Sequence, residues 1–229
     1  MQLTSSDLAT LGDGPISVSA KATDAAGNTS TAGTTNFMLD TVAPTAPTLA
    51  LGTGVNNGAT AAEATAATGV VSVNAEAGST TVVTFTNGTN TVTKTVTGTG
   101  APQAVQLTSA DLTTLGNGPI NVTATATDVA GNASNAGTTN FTLDTSVAAP
   151  SVVLANDTGT SSTDGITNNG AINVSGLESG ASWQYSTNGG STWTTGTGSS
   201  FTLAAGTYAA NSIQVKQTDL AGNTSTAGN

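Results

Sequence analysis

Apolar and polar residues alternate with a period of two through much of this chain. Ile120, Val122, Ala124 and Ala126 are each separated by a polar residue, Val83 and Phe85 alternate within Thr80 to Thr86, and Val92, Lys94 and Val96 share one parity, as do Phe141 and Leu143. A two-residue period puts alternate side chains on one face of a strand, so these segments are predicted to be half-buried β-strands. Gly- and Asn-rich turns such as TNGTN at 86–90 separate them. No segment shows an apolar stripe at helical spacing with caps, and only SSDL at 5–8 and SADL at 109–112 offer room for one helical turn. The pattern predicts an all-β protein.

Self-similarity sets the domain organisation. The stretch Gln2 to Thr41, QLTSSDLATLGDGPISVSAKATDAAGNTSTAGTTNFMLDT, returns at Gln106 to Thr145 as QLTSADLTTLGNGPINVTATATDVAGNASNAGTTNFTLDT. Roughly three in four positions are identical, and the period is about 104 residues, the size of one immunoglobulin-like sandwich. A weaker copy closes the chain from Phe201 to Asn229; it keeps T-D-x-A-G-N and the following S-x-A-G but stops before an equivalent of NFTLDT. The expected organisation is therefore tandem antiparallel β-sandwiches: 1–41 the C-terminal half of one repeat, 42–145 a complete repeat, and 146–229 a repeat without its last strand. The half-repeat would expose core and sheet edges. It could pair with the incomplete third repeat.

Composition narrows the chemistry. With 3 basic and 13 acidic residues among 229, the formal net charge is −10, so the clustered Lys and Arg that nucleic acid requires are missing. There is no Cys and no His, which removes disulfides, thiolate nucleophiles, imidazole bases and the usual zinc, copper and haem ligands. Hard oxygen donors remain. No apolar run reaches the roughly 18 residues that span a bilayer, and Met1 leads into a polar stretch without a secretory leader's pattern, so the sequence reads as an internal fragment of something longer. An enzyme is not expected: the carboxylates recur in step with the repeats, whereas catalytic residues occur once, and no base other than Lys21, Lys94 or Lys216 is available to activate a serine.

The carboxylates hold two fixed places. Asp24, Asp128 and Asp219 open T-D-x-A-G-N, with Asn28, Asn132 or Asn223 four residues on; Asp40 and Asp144 sit in L-D-T, just before the next repeat. If the turn and the strand end share a pole, the following loop adds oxygens there: Asn156, Asp157 and Asp164 after Asp144, and Glu63 after Asp40. Calcium takes about six to eight oxygens at roughly 2.3–2.6 Å, a set both junctions could assemble. The same sequences are also good turns without any metal, because Asp and Asn side chains bond nearby backbone N–H groups. There is no EF-hand loop.

T-D-x-A-G-N, the junction NFMLDTVAPTAP, NDTG followed by DGIT, and WQYSTNGGSTW resemble the bacterial Ig-like repeats of giant type I-secreted (RTX-type) adhesins and biofilm-associated proteins. The resemblance covers essentially the whole chain. It implies a rod of modules on the bacterial cell surface, stiffened by calcium at the junctions, with neighbouring repeats as partners and any host or surface glycan bound elsewhere in the parent. It carries the junction ligands onto Asp24, Asp40, Asp128, Asp144, Asp157, Asp164 and Asp219, with Glu63 and Asn132 as further candidates. The complete repeat departs from it, having Thr53, Asn57 and Glu63 where the third has Asp157 and Asp164, which implies a weaker first junction. The second junction is then the favoured site, with Asp128, Asp144, Asp157 and Asp164 converging.

A repeat that itself binds a surface is the other expectation. Trp183, Tyr185 and Trp193 form the aromatic cluster, and Ser186 to Trp193 resembles an Asp-box with Asn188 in place of Asp; such turns pack their Trp inward, whereas exposed rings would stack on sugars. Thr123, Thr125 and Thr127 alternate on one strand and could form a hydroxyl array for ice or glycan, although Thr is ordinary on exposed strand faces.

Overall fold

The computed structural model describes residues 2–229. Residues 2–41 form α1 (Ser5–Leu11) and a hairpin of β1 (Gly14–Ala20) and β2 (Gly33–Leu39). Residues 42–145 contain β3 (Thr48–Leu51), α2 (Ala61–Ala64), β4 (Val71–Asn74), β5 (Thr80–Thr86), β6 (Thr91–Thr97), β7 (Gln103–Val105), α3 (Ser109–Leu115), β8 (Gly118–Thr127) and β9 (Gly137–Leu143). They make two antiparallel sheets, β3-β4-β7 and β6-β5-β8-β9. Residues 146–229 contain β10 (Ser151–Leu154), β11 (Ala171–Ser175), β12 (Ser182–Ser186), β13 (Thr194–Thr195), β14 (Ser200–Thr202) and β15 (Gln214–Thr218), again in two antiparallel sheets, β10-β11-β14 and β13-β12-β15. The fold is all-β apart from short helices, as the alternation predicts. For brevity the three stretches are called the first, second and third modules.

The predicted apolar positions make the second module's core. Val83 and Phe85 of β5, Ile120, Val122 and Ala124 of β8, and Phe141 and Leu143 of β9 face Val71 and Val73 of β4 and Val105 of β7. Phe85 and Phe141 meet edge to face, with centroids 6.5 Å apart. The third module's core is smaller and built on Val174, Trp183 and Val215, with Tyr185 stacked on Phe201 at 4.1 Å. Trp183 lies flat over Gly196, where an added Cβ would come within 2.3 Å of its ring, and its Nε1 donates to Gly198 O at 2.9 Å. Trp193 is half-covered, with the Lys216 ammonium 4.3 Å from its ring centroid.

The near-identical segments fold alike and bury differently. Phe141 is 5% exposed, but its counterpart Phe37 is 41% exposed, because residues 2–41 contain no equivalent of the β3-β4-β7 sheet. Local sequence determines the hairpin; burial needs the opposite layer.

Helices are where the structure exceeds the expectation. α1 and α3 run for seven residues each, and α2 adds a turn at a position read as loop. Each opens on a capping box, Thr4 with Asp7, Thr60 with Glu63 and Thr108 with Asp111, in which the Thr hydroxyl accepts the third residue's N–H and the carboxylate returns to the Thr N–H. α3 is anchored by buried Leu115 and by an ion pair from Lys94 of β6 to Asp111. Burial pushes the Asp111 carboxyl up, but the hydrogen bonds and charge of Lys94, with those of Thr108, outweigh it and hold Asp111 below its ordinary value. A carboxyl depressed in the folded state stabilises fully above its unfolded pKa, and this contribution fades as pH falls through the folded one. The unfolding midpoint of the second module should therefore drop on acidification below about pH 4, and Asp111→Asn should lower the neutral-pH midpoint while flattening that acid limb. Calorimetry from pH 7 to 3 checks both.

Candidate functional site at the module junctions

The T-D-x-A-G-N turns are closed by their own side chains. In the third module, Asp219 Oδ1 accepts the N–H groups of Gly222 and Asn223 at 2.7 and 2.8 Å, while Asp219 Oδ2 accepts Asn223 Nδ2 at 2.8 Å. Asp128 does the same with Gly131, Asn132 and Asn132 Nδ2 at 2.8, 2.9 and 2.9 Å, and Asp24 accepts Ala26 N, Asn28 N and Asn28 Nδ2, each at 2.9 Å. The Asn28 and Asn132 amides, joined by backbone N–H groups, hold the Asp24 and Asp128 carboxyls below their ordinary value, so both are ionised at neutral pH.

These turns face the preceding module. Asn132 Nδ2 donates to Asp40 O at 3.1 Å, and Asn223 Nδ2 donates to Asp144 O at 2.9 Å. The second junction is further built up by the β3–β4 loop of the second module. Its Ala59 exchanges hydrogen bonds with Thr142 and Asp144 beside β9, at 2.8 and 2.9 Å. From there Asn57 Nδ2 donates to Leu220 O at 2.8 Å, and Gly58 leaves just enough room for the buried Ala221, whose Cβ would lie 3.0 Å from an added Cβ. On the far side, fully buried Gln217 ties the linker down, donating to Ala148 O at 2.8 Å and Gly176 O at 3.0 Å.

This geometry corrects the expected ligand set. β8 and β9 pair antiparallel from Gly118 opposite Leu143 to Ala124 opposite Gly137, so Asp128, just past β8, and Asp144, just past β9, lie at opposite ends of one hairpin. In this register Asp144 falls opposite Asn117, and the eleven residue steps from there to Asp128, at about 3.4 Å each, separate them by about 37 Å. Asp128 belongs to the first junction with Asp40 and Asn132. Asp144 meets Asp219 and Asn223 at the second. The loop that carries Asn57 and Glu63 also stands at the second junction, not the first, and its equivalent with Asp157 and Asp164 follows the end of β10 remote from the linker, at the far pole of the third module. Asp128, Asp144, Asp157 and Asp164 thus occupy three separate places. Asn57 and Asn223 are the junction residues the ligand set passed over. The shared T-D-x-A-G-N register was the available signal for Asn223; for Asn57 the sequence holds none.

Calcium fits one of these places better than the others. Both Asp219 oxygens are committed within its turn, the Asp144 carbonyl is held by Asn223, and Glu63 Oε2 caps α2 by accepting Thr60 N and Oγ1 at 2.9 Å. Among the described residues no three acidic side chains gather closely enough to hold an ion. In the 156–168 loop, Asp157 Oδ2 accepts Gly165 N at 2.9 Å and Asp164 Oδ1 accepts Ile166 N at 3.0 Å, whereas Asp157 Oδ1 is buried without a partner. That orphaned carboxyl oxygen, in a loop that also carries Asp164 and several hydroxyl and amide oxygens, suits a calcium-type ion.

The aromatic turn is ordered by itself. Asn188 Oδ1 accepts Thr192 N and Ser186 Oγ at 2.9 Å, and Ser186 Oγ accepts Gly190 N at 2.9 Å. Trp183 is 5% exposed and belongs to the core. The side chains of Thr123, Thr125 and Thr127 are half-buried on the face of β8 opposite the core.

No family model matches this chain, and no curated protein does. Its fold is similar to solved structures of adhesin regions. One is a tetra-tandem repeat in the extending region of a large adhesion protein, 22% identical, with a TM-score of 0.38, covering 97% of this chain and 57% of that one. Another comes from work on host cell surface retention of a 1.5-MDa bacterial ice-binding adhesin, 23% identical, with a TM-score of 0.37, covering 97% of this chain and 75% of that one. The chain thus spans a little over half the length of the first. No helix among the described residues is long and apolar enough to cross a membrane.

Proposed function

We propose that this chain is a run of structural extender modules from a bacterial cell-surface adhesin, extracellular and non-catalytic, which hold a distal binding region away from the cell in adhesion and biofilm formation. The observation that carries this reading is the repetition of one joint: at both junctions the Asn of a T-D-x-A-G-N turn reaches the carbonyl of the preceding module's L-D-T aspartate. A spacer needs such a self-propagating end-to-end contact, and the motif resemblance points the same way.

Calcium has a place in this reading at the 156–168 loop. Asp157 and Asp164 would hold it with carbonyl and hydroxyl oxygens of their loop, and it would supply charge neutralisation to an orphaned carboxylate oxygen. Extracellular sites of this kind bind at about 10⁻⁴ to 10⁻³ M, so one site adds about 0.4 to 1.4 kcal/mol at millimolar calcium. That is too little to fold a module and enough to order the 156–168 loop. Small-angle scattering should show an extended particle with and without EGTA, and calorimetric titration should show calcium binding that Asp157→Asn weakens. No binding heat at millimolar calcium would remove calcium from the account, and a compact particle in both buffers would remove the spacer.

A further inference from the structure

We infer that the T-D-x-A-G-N asparagine is a metal-independent clasp between modules, and that its aspartate is a positioning residue for that amide and not a calcium ligand. An amide nitrogen carries two hydrogens, and here both have assigned acceptors. In Asn223 one goes to Asp219 Oδ2 at 2.8 Å within the turn and the other to Asp144 O at 2.9 Å across the junction. Asn132 repeats this with Asp128 Oδ2 at 2.9 Å and Asp40 O at 3.1 Å.

The carboxylate's work explains the motif's composition. Its Oδ1 gathers two backbone N–H groups and closes the turn, which leaves Oδ2 to hold the amide in one orientation. A hydrogen bond to an ionised acceptor is stronger than a neutral one, so the asparagine is presented with its remaining N–H aimed outward. The surface this creates fits one kind of partner: an extended strand end with a free carbonyl at its last residue, which the L-D-T aspartate supplies through its main chain. Asn28 has the same contact to Asp24 at 2.9 Å, and its second amide hydrogen meets no acceptor among the described residues.

At the second junction the clasp is reinforced by the reciprocal bond from Asn57 to Leu220 O and by the seating of Ala221 on Gly58, both from the β3–β4 loop.

The inference rests on the end-to-end reading of the junctions proposed above, and electron–electron double resonance separates the two. The chain has no cysteine, so Thr95→Cys on β6 and Thr195→Cys on β13 give one label on each side of the second junction. In EGTA the otherwise unchanged chain should show a single narrow distance. Asn223→Ala should lose it in favour of a broad distribution while tryptophan emission of the third module stays the same, and Asn28→Ala, which opens an identical turn with no junction partner, should leave it narrow. Should Asn223→Ala unfold the third module, Asn57→Ala, outside that module, should still broaden the distribution. Narrow distances in both Asn223→Ala and Asn57→Ala overturn the clasp while leaving the end-to-end joint intact. A distribution that is broad in EGTA and narrows only with calcium assigns the joint to the metal. One that is broad in both buffers overturns the end-to-end reading itself.

Discussion

Phe85→Ala should unfold the second module at ordinary temperatures or bring it close to doing so. Phe85 is fully buried near the C-terminal end of β5, between β6 and β8, and its ring meets Phe141 edge to face at 6.5 Å. Removing a buried Phe side chain costs about 3–5 kcal/mol, because lost transfer energy and an unfilled cavity add. Apart from Phe141, already packed edge to face, the rest of this core is Val, Leu, Ile and Ala, so the space left by the ring is filled only by small aliphatic neighbours. Against a total stability of about 5–15 kcal/mol for a domain, the expected fall in midpoint is about 15–25 °C. The measurement separates the modules cleanly, since both Trp and both Tyr residues lie between 183 and 208. Far-UV circular dichroism should show an early transition that tryptophan emission does not follow. Coincident shifts in both signals would mean that the modules unfold as one unit.

What the sequence reveals here is what short-range physics controls. Strict alternation at Ile120 to Ala126 specifies a strand with one buried face, because a one-residue slip would turn all four side chains to water. The helices were only half visible: Thr-x-x-Asp caps as well as Thr-x-x-Glu, yet Ser5–Leu11 and Ala61–Ala64 show too little apolar periodicity to announce a helix. The junction was the least legible part. Asp128 and Asp144 are each followed by a turn or linker, and nothing local tells which pole of the module each one occupies. The β8–β9 pairing decides it, since two antiparallel strands in succession end at opposite poles. The same topology moves Asn57 and Glu63 from the first junction to the second. A motif's residues were therefore readable one by one, while their convergence was a property of the chain's path.

The sequence S-x-A-G, kept in all three copies as Ala32-Gly33, Ala136-Gly137 and Ala227-Gly228, leads to the second large effect: Gly137→Ala should strongly destabilise the second module, and Gly33→Ala should not disturb the first. Gly137 opens β9, and a Cβ there would lie 1.8 Å from Pro47 O; Gly228 stands in the same relation to Pro150 O, at 1.7 Å. Both contacts are with main-chain atoms at the point where the linker turns into a module's first strand, so neither can be relieved by rotating a side chain. Gly137 is not in the left-handed region, which makes the requirement one of space and not of backbone conformation. Overpacking costs about 1–3 kcal/mol and more where backbone must move, so a loss near the top of that range, or about 10–20 °C in midpoint, is expected. Gly33 has nothing within 4 Å of the same position, because no first strand packs there among the described residues. The paired variants thus use one substitution in two nearly identical sequences and isolate the effect of the linker's approach. Equal losses at Gly33 and Gly137 would locate the glycine's role in the hairpin itself. A loss at Gly137 alone, read by calorimetry, would place it where each module closes over its own beginning, immediately beside the joint that Asn132 and Asp40 form.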